Sequence, residues 1–314
     1  MTRTNEWFFP AGTTARGGWS SVIDEQLDGW RHTGLRIGEL ADGAVRLLNA
    51  GDLERVVVPL AGSFRVRVGG GVSGGVSTPD DYELRGRLSV FDGPTDVLYV
   101  GVGGSLTITG TGRVAVAEAQ ASVRKPTQYI AREDVPVELR GAGRSSRQVH
   151  NFGTPSVLDA AKLIVCEVIT PAENWSSYPA HKHDELVPGI ESRLEEIYYF
   201  ETAVTRAVSD SGVSVAEAVD PFGLFATTSS PAGEIDTNAL VRTGDVALVP
   251  FGYHGPAAAA PGYDLYYLNV MAGPDDGRVW NITDDPAHAW VRGAWDGQQV
   301  DPRLPYLSSN GDNR

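Results

Sequence analysis

Apolar and polar residues alternate along much of this chain, in the short runs that are typical of β-strands. Residues 64–68 (FRVRV) place apolar side chains on one face and arginines on the other, because successive strand side chains point to opposite faces. Residues 96–100 and 196–200 add apolar, aromatic runs of strand length. Helical periodicity is almost absent up to residue 120, so the pattern predicts an all-β protein.

The order of these runs repeats. Residues 54–58 (ERVVV) and 196–200 (EIYYF) are both apolar strands led by a glutamate, and a further apolar strand that ends in a turn follows each of them. A chain of 314 residues can form two domains. We therefore predict an internal duplication into two similar, jelly-roll-like β-barrels, over residues 1–145 and 146–314.

Composition narrows the possible functions. The net charge is −14, with 40 acidic against 26 basic residues, which argues against binding to nucleic acid or to an anionic membrane surface. The single cysteine, Cys166, excludes an intrachain disulfide. No apolar run approaches the roughly 20 residues of a transmembrane helix, and the first residues lack the features of a signal peptide. These observations predict a cytoplasmic protein.

A candidate metal site lies in the second half. His181 and His183 are separated by one residue, so on a strand their rings leave the same face. Glu196 lies on the next predicted strand, and His254 follows a turn after another strand. Three imidazoles and one carboxylate suit one divalent ion such as Zn²⁺, Mn²⁺ or Fe²⁺ and leave a position open for water or substrate.

Each of these residues also has an ordinary interpretation. A His-x-His pair is often only polar surface, and His254 could cap its turn. Glu195 competes with Glu196 for the ligand position. We favour Glu196, because Tyr198 and Phe200 then share its side of the strand.

The spacing resembles the two metal motifs of the cupin superfamily. A closer resemblance, to the 5-deoxy-glucuronate isomerase family of bacterial myo-inositol breakdown, is carried above all by residues 174–184 (NWSSYPAHKHD) and 262–273 (GYDLYYLNVMAG). The chain departs from the usual cupin pattern in the longer gap between His183 and Glu196. That gap predicts a loop over the site. The cupin motif positions are His181, His183, Glu196, Gly244, Pro250, Gly252 and His254.

The resemblance implies a bicupin: two tandem cupin-type barrels, with the metal site in the C-terminal one and no ligands in the N-terminal one. It implies isomerisation of 5-deoxy-D-glucuronate to 5-dehydro-2-deoxy-D-gluconate, a homo-oligomer, and a small sugar acid as the partner. Such a reaction needs a cation to stabilise an oxyanion and a base to move a proton. The candidate bases are Glu195 and His150, the candidates for binding the substrate carboxylate are Arg147 and Arg193, and the candidate hydroxyl donors are Tyr199 and Tyr267.

Three alternatives remain open at this point. The related uronate ketol-isomerases of pectin degradation share the fold and the ligands. Metal-dependent cupin dioxygenases use the same ligands with iron. A non-enzymatic sugar-binding or storage cupin is the third, and the intact ligand set argues against it because storage needs no metal.

Overall fold

The computed structural model describes residues 4–70, 80–206, 208, 212–215 and 218–307. Strands dominate it, which confirms the prediction of an all-β protein. No helix in these ranges has the length and apolar character of a membrane span. The strands are β1 (Phe8–Phe9), β2 (Ser21–Ile23), β3 (Thr33–Leu40), β4 (Val45–Leu48), β5 (Leu53–Gly69), β6 (Asp80–Arg87), β7 (Val97–Val100), β8 (Ser105–Gln120), β9 (Gln128–Ile130), β10 (Val137–Arg140), β11 (Arg147–Gly153), β12 (Ile164–Thr170), β13 (Trp175–Ser176), β14 (His181–Lys182), β15 (Asp184–Val187), β16 (Glu191–Arg193), β17 (Glu195–Val204), β18 (Gly223–Ser230), β19 (Gly233–Val241), β20 (Val246–Val249), β21 (Tyr253–Ala259), β22 (Tyr263–Ala272) and β23 (Thr283–Asp284). Short 3-10 helices span Arg132–Asp134, Gly143–Ser145 and Ala289–Trp295.

The first half forms one sheet in the order β2-β3-β8-β5-β7-β9, with β4 also paired to β8 and β6 to β5. The long strands β5 and β8 pair antiparallel from Leu53 opposite Gln120 to Gly69 opposite Ser105. Apolar side chains including Trp19, Phe64 and Leu106 form a buried cluster on one side of this sheet.

The second half contains two main sheets that face each other. One has the order β1-β20-β17-β22-β12-β11-β10, and the other β19-β18-β21-β14-β23, with β13 paired to β21. Side chains from both sheets, such as Tyr198 of β17 and Phe225 of β18, meet in one buried cluster. This sandwich brings Glu196 on β17, His181 on β14 and His254 on β21 to a common interior, and His183 lies between β14 and β15.

The sheets do not divide the chain at residue 145. Strand β10 lies before that position and pairs with β11, and β1 from the N-terminal arm pairs with β20. The boundary predicted between residues 145 and 146 therefore falls between two paired neighbours of the same sheet.

A buried ion pair joins the two halves. Arg87 of β6 donates two hydrogen bonds of 2.7 Å to Glu167 of β12, and both side chains are almost fully enclosed. His150 and Tyr266 hydrogen-bond to the same carboxylate at 2.6 and 2.8 Å. Burial alone would raise the pKa of Glu167, but the charge of Arg87 and the hydrogen bonds from His150 and Arg87 lower it to about 2. The carboxylate is thus held in its charged form between the two halves.

Candidate metal centre

Three of the four predicted ligands meet in the interior of the second half. Nε2 of His183 and Nε2 of His254 lie 3.0 and 3.1 Å from Oε2 of Glu196. All three side chains are buried, and one ligand atom from each lies within 4.8 Å of the others. The structure therefore brings His183 together with His254, which lies 71 positions further along the sequence.

The fourth predicted ligand, His181, lies beside this group. It is opposite His254 in the pairing of β14 with β21, and the two ring centroids are 4.5 Å apart. The centroid of the His183 ring is 6.3 Å away. His181 is partly exposed and lines the adjoining cavity, so it stands between the buried group and the space open to a ligand.

The orientation of the three rings fits a metal ion. Nδ1 of each histidine lies near a backbone carbonyl: His181 near Pro179 at 3.3 Å, His183 near Leu194 at 3.1 Å and His254 near Gly252 at 3.3 Å. A proton on Nδ1 leaves Nε2 unprotonated and able to bind a cation, as in many metal sites. Nε2 of His254 is also buried with no well-aligned hydrogen bond among the described residues. The donor set thus suits a divalent ion.

The pKa shifts of Glu196 and His181 agree with this interpretation. Burial would raise the pKa of Glu196, but hydrogen bonds and charge interactions with His183 and His254 outweigh it and lower the pKa to about 2. Burial, together with the neighbouring imidazoles His254 and His183, holds the pKa of His181 well below its ordinary value. A charged carboxylate and a neutral imidazole are the forms that bind metal.

A network around His183 fixes the ligand-bearing segments. Asp184 accepts hydrogen bonds from the backbone N–H of Gly252 at 2.8 Å and from Nζ of Lys182 at 2.7 Å. Lys182 also donates to Glu191 at 2.8 Å. Gly252 adopts φ +95°, and a Cβ there would lie 2.4 Å from Ile235, so the turn before His254 requires glycine. Three carboxylates, those of Asp184, Glu185 and Glu191, form a second acidic group, and the single ammonium of Lys182 contacts all three and offsets one of their charges.

A cavity of about 380 Å³ opens next to His181 and Glu196. This volume is within the range of roughly 300–1,000 Å³ that is typical of small-molecule sites. Three arginines line it. Arg140 pairs with Glu138, and Arg292 with Asp284.

Arg147 is the third of these arginines, and it has no carboxylate partner in the described ranges. Its side chain is buried, donates to the carbonyl of Ser145 at 2.9 Å and stacks on Trp295 at 5.4 Å. Burial lowers its pKa to about 10, which still leaves the guanidinium charged at neutral pH. A buried cation without a counter-charge favours an anionic ligand.

Of the other predicted site residues, Tyr267 lines the cavity and Tyr199 does not. Tyr199 belongs to the central apolar cluster. Its hydroxyl donates a hydrogen bond of 3.2 Å to Glu201. Arg193 is half exposed and pairs with Asp275 at 2.7 Å. Arg193 does not line the cavity, because it lies on β16 in the outer hairpin.

Neither predicted base reaches the cavity. Glu195 accepts hydrogen bonds of 2.6 Å from the backbone N–H groups of His32 and Thr33. His150 is enclosed between Glu167 and Gln148. The physical reason is strand alternation: on β17, Glu196 points into the sandwich and Glu195 points towards the first half.

Sequence reasoning missed several cavity residues. Asn269 is a polar residue inside an apolar strand, and that exception was a usable signal. Trp280, Asp284 and Arg292 come from the C-terminal segment, which the pattern gave no reason to place over the site. Cys166 is buried in β12, and burial raises the pKa of its thiol.

Comparison with known proteins gives the chain its family. The model of the KduI/IolB family matches residues 7–291. The 5-deoxy-glucuronate isomerase of Shouchella clausii is 35% identical over 83% of this chain and 88% of its own length.

Two solved structures support the fold. The crystal structure of an IolB-like protein from Salmonella typhimurium superposes with a TM-score of 0.77 at 33% identity, covering 91% of this chain and 99% of that one. Oxalate decarboxylase of Lactobacillus farciminis, at 12% identity, has a TM-score of 0.59 over 89% of this chain and 88% of that one. The predicted cupin fold and the predicted family are both confirmed. The chain belongs to the KduI/IolB family.

Proposed function

We propose that this protein is a metal-dependent aldose–ketose isomerase that converts 5-deoxy-D-glucuronate to 5-dehydro-2-deoxy-D-gluconate in myo-inositol breakdown. The observation that carries the proposal is a single cavity with the His/Glu group at one end and the unpaired Arg147 lining it. A sugar acid has a carbonyl for the first and a carboxylate for the second. The name of the Shouchella clausii relative supports this choice of substrate.

The ligands for one divalent ion, Zn²⁺, Mn²⁺ or Fe²⁺, would be His183, Glu196 and His254, with His181 as the fourth. A bound ion supplies positive charge that stabilises the negative charge developing on the carbonyl oxygen as a neighbouring proton is removed. Arg147 orients the substrate by pairing with its carboxylate, to which the guanidinium can donate two parallel hydrogen bonds.

Moving the carbonyl from C1 to C2 requires a base that takes the proton from C2 and returns it to C1. We assign this role to Asp284. Its strand β23 pairs with β14, where it lies directly opposite His181, and besides Glu196 it is the acidic side chain among the described cavity residues. Two hydrogen bonds from Arg292 hold its carboxylate in place.

Incubation with 5-deoxy-D-glucuronate, followed by proton NMR, tests the proposal. We expect the ketose to form, a chelator to stop the reaction, and added divalent ion to restore it. Asp284→Asn should abolish conversion while bound metal, measured by mass spectrometry, stays at the wild-type level. Absence of conversion by metal-replete protein, or oxygen uptake in its place, would overturn the isomerase assignment. Conversion of pectin-derived uronates at a higher kcat/KM would move the assignment to that substrate.

We also propose a cytoplasmic homo-oligomer. The tip of the β15–β16 hairpin leaves Leu186, Val187 and Ile190 exposed, and an apolar tip of this kind supports self-association. Light scattering coupled to size-exclusion chromatography measures the mass directly. A mass of one chain, 33.5 kDa, would contradict the proposal.

A further inference from the structure

Two buried side-chain nitrogens beside the cavity lack a hydrogen-bond partner within the described ranges. Asn269 of β22 is 4% exposed, and its Nδ2 is buried and unpaired. The indole N–H of Trp280, on the C-terminal segment, is also buried and unpaired. Buried donors in folded proteins nearly always have a partner. Their position beside one cavity indicates that a ligand supplies these partners.

Strand register places Asn269 one step from the metal group, where a step is the two residues that separate neighbours on the same face of a strand. On β22, Met271 pairs with Glu196 of β17, and Asn269 is the next residue on the same face because side chains alternate. Tyr267 comes one step further along this face.

The same register places Arg147 at the far end. Tyr267 pairs with Val168 of β12, and Val168 pairs with Val149 of β11. Strands β11 and β22 run in the same direction, since each is antiparallel to β12. Arg147, two residues before Val149, therefore lies one step beyond Tyr267. Asn269 stands between the metal group and the arginine.

The neighbours of Asn269 in its own row do not offer the same hydrogen bonds. Tyr198, opposite it on β17, shares a hydrogen bond of 3.1 Å with Ser177. Cys166, opposite it on β12, carries a thiol, which is a weak donor. A carboxamide both donates and accepts strongly, as a sugar hydroxyl does.

We propose that Asn269 hydrogen-bonds the C3 hydroxyl of the bound sugar acid and thereby determines which substrates are isomerised. The inference rests on the proposed function. With the isomerising carbons C1 and C2 at the metal group and the carboxylate at Arg147, C3 is the first carbon past the reacting pair. Asn269 is the first side chain beyond the metal group on the face of β22 that leads towards Arg147.

The test measures kcat and KM of wild type, Asn269→Leu and Met271→Leu on 5-deoxy-D-glucuronate and on the analogue that also lacks the C3 hydroxyl. Leucine has nearly the shape of asparagine without its polar atoms. We expect Asn269→Leu to lower kcat/KM roughly 10- to 100-fold with bound metal unchanged. Met271→Leu, an apolar change on the same face, should leave kcat/KM within about threefold of wild type.

The analogue separates recognition from packing. Wild type should lose roughly 10- to 100-fold in kcat/KM on removal of the C3 hydroxyl, whereas Asn269→Leu should use both compounds equally well. Equal discrimination by the two proteins, or an unchanged kcat/KM in Asn269→Leu, would overturn the inference while leaving the isomerase assignment intact. No turnover by wild type would overturn both. If Asn269→Leu fails to fold, the pair Asn269→Ser and Asn269→Ala decides in its place, since serine keeps a hydroxyl and should retain more activity.

Discussion

At the scale of single residues, neighbouring side chains of one strand have unrelated tasks. Glu195 and Glu196 are adjacent, yet Glu196 joins two imidazoles inside the sandwich and Glu195 accepts from backbone N–H groups at the start of β3. The alternation of apolar residues after them indicated which glutamate faces the site. The same alternation could not reveal the partner of Glu195, because residues 31–33 are 162 or more positions away.

The two glutamates provide a matched test. We expect Glu196→Gln to lower metal affinity at least about 100-fold, because an amide cannot replace the charged carboxylate. Glu195→Gln should keep its metal and instead lose about 1–3 kcal/mol of unfolding free energy, since the amide nitrogen faces donors. Metal content after dialysis and urea denaturation measure the two effects. Metal loss in the Glu195 variant would contradict the ligand assignment.

Two arginines provide a second test. Arg147→Met should raise KM for 5-deoxy-D-glucuronate roughly 10- to 100-fold, because the substrate carboxylate loses its buried counter-charge. Arg193→Met removes an exposed cation that pairs with Asp275, and its KM should stay near that of wild type. Initial-rate kinetics give the KM of both variants and show which arginine binds the substrate carboxylate. A larger effect at Arg193 would place the carboxylate at the outer hairpin.

At the scale of elements, the segment between His183 and Glu196 forms the β15–β16 hairpin, anchored at its base by Lys182, Asp184 and Glu191. The sequence predicted a loop here from the length of the gap. It could not predict the anchor, because one of the partners, the N–H of Gly252, belongs to a turn 68 residues further on. The C-terminal segment over the cavity was missed for a similar reason: its tryptophans and turns carry no periodicity.

The anchor predicts an effect on metal binding without contact to the metal. Asp184→Asn should weaken metal affinity about 10- to 100-fold, because outer hydrogen bonds orient the ligands on either side of it. Glu185→Gln, at a carboxylate that is half exposed, should change affinity little. Competition with a metal indicator measures both variants. Equal affinities would show that the hairpin base does not position His183.

At the scale of the whole molecule, the two halves share a buried charge pair as well as an apolar cluster. Leu35 and Val56 of the first half and Ile197 of the second belong to one core, and Arg87 reaches Glu167 across the same boundary. Periodicity predicted two β units and their order. Their contact could not be predicted, because arginines that face solvent and arginines that pair across an interface look alike in a strand pattern.

This pair predicts how stability depends on pH. The pKa of Glu167 in the folded protein, about 2, is below its ordinary value of 4.5. Its contribution is therefore complete above about pH 4.5 and is lost as the pH falls through 2; a shift of this size corresponds to a few kcal/mol. Glu167→Gln should have a lower Tm at pH 7 and a flatter decline of Tm between pH 5 and 2 than wild type. Calorimetry at stepped pH measures this.

An exposed pair on the same strand supplies the control. Arg85 of β6 pairs with Glu133 at the surface, so Glu133→Gln should follow the wild-type curve closely. A Glu167→Gln curve parallel to that of wild type would show that other carboxylates govern acid unfolding.

The N-terminal arm also protects the fold from association along its sheet. Residues Phe8 and Phe9 pair with Ala247 and Val246 of β20, and the carbonyl of Trp7 accepts from Leu248. Without the arm, β20 would be an open edge with unpaired backbone donors and acceptors, able to template a strand from another molecule. Because β20 is the neighbour of β17, such templating would begin one strand away from Glu196. Removal of the first ten residues, or a rigid fusion to them, therefore creates an aggregation hazard next to the metal centre.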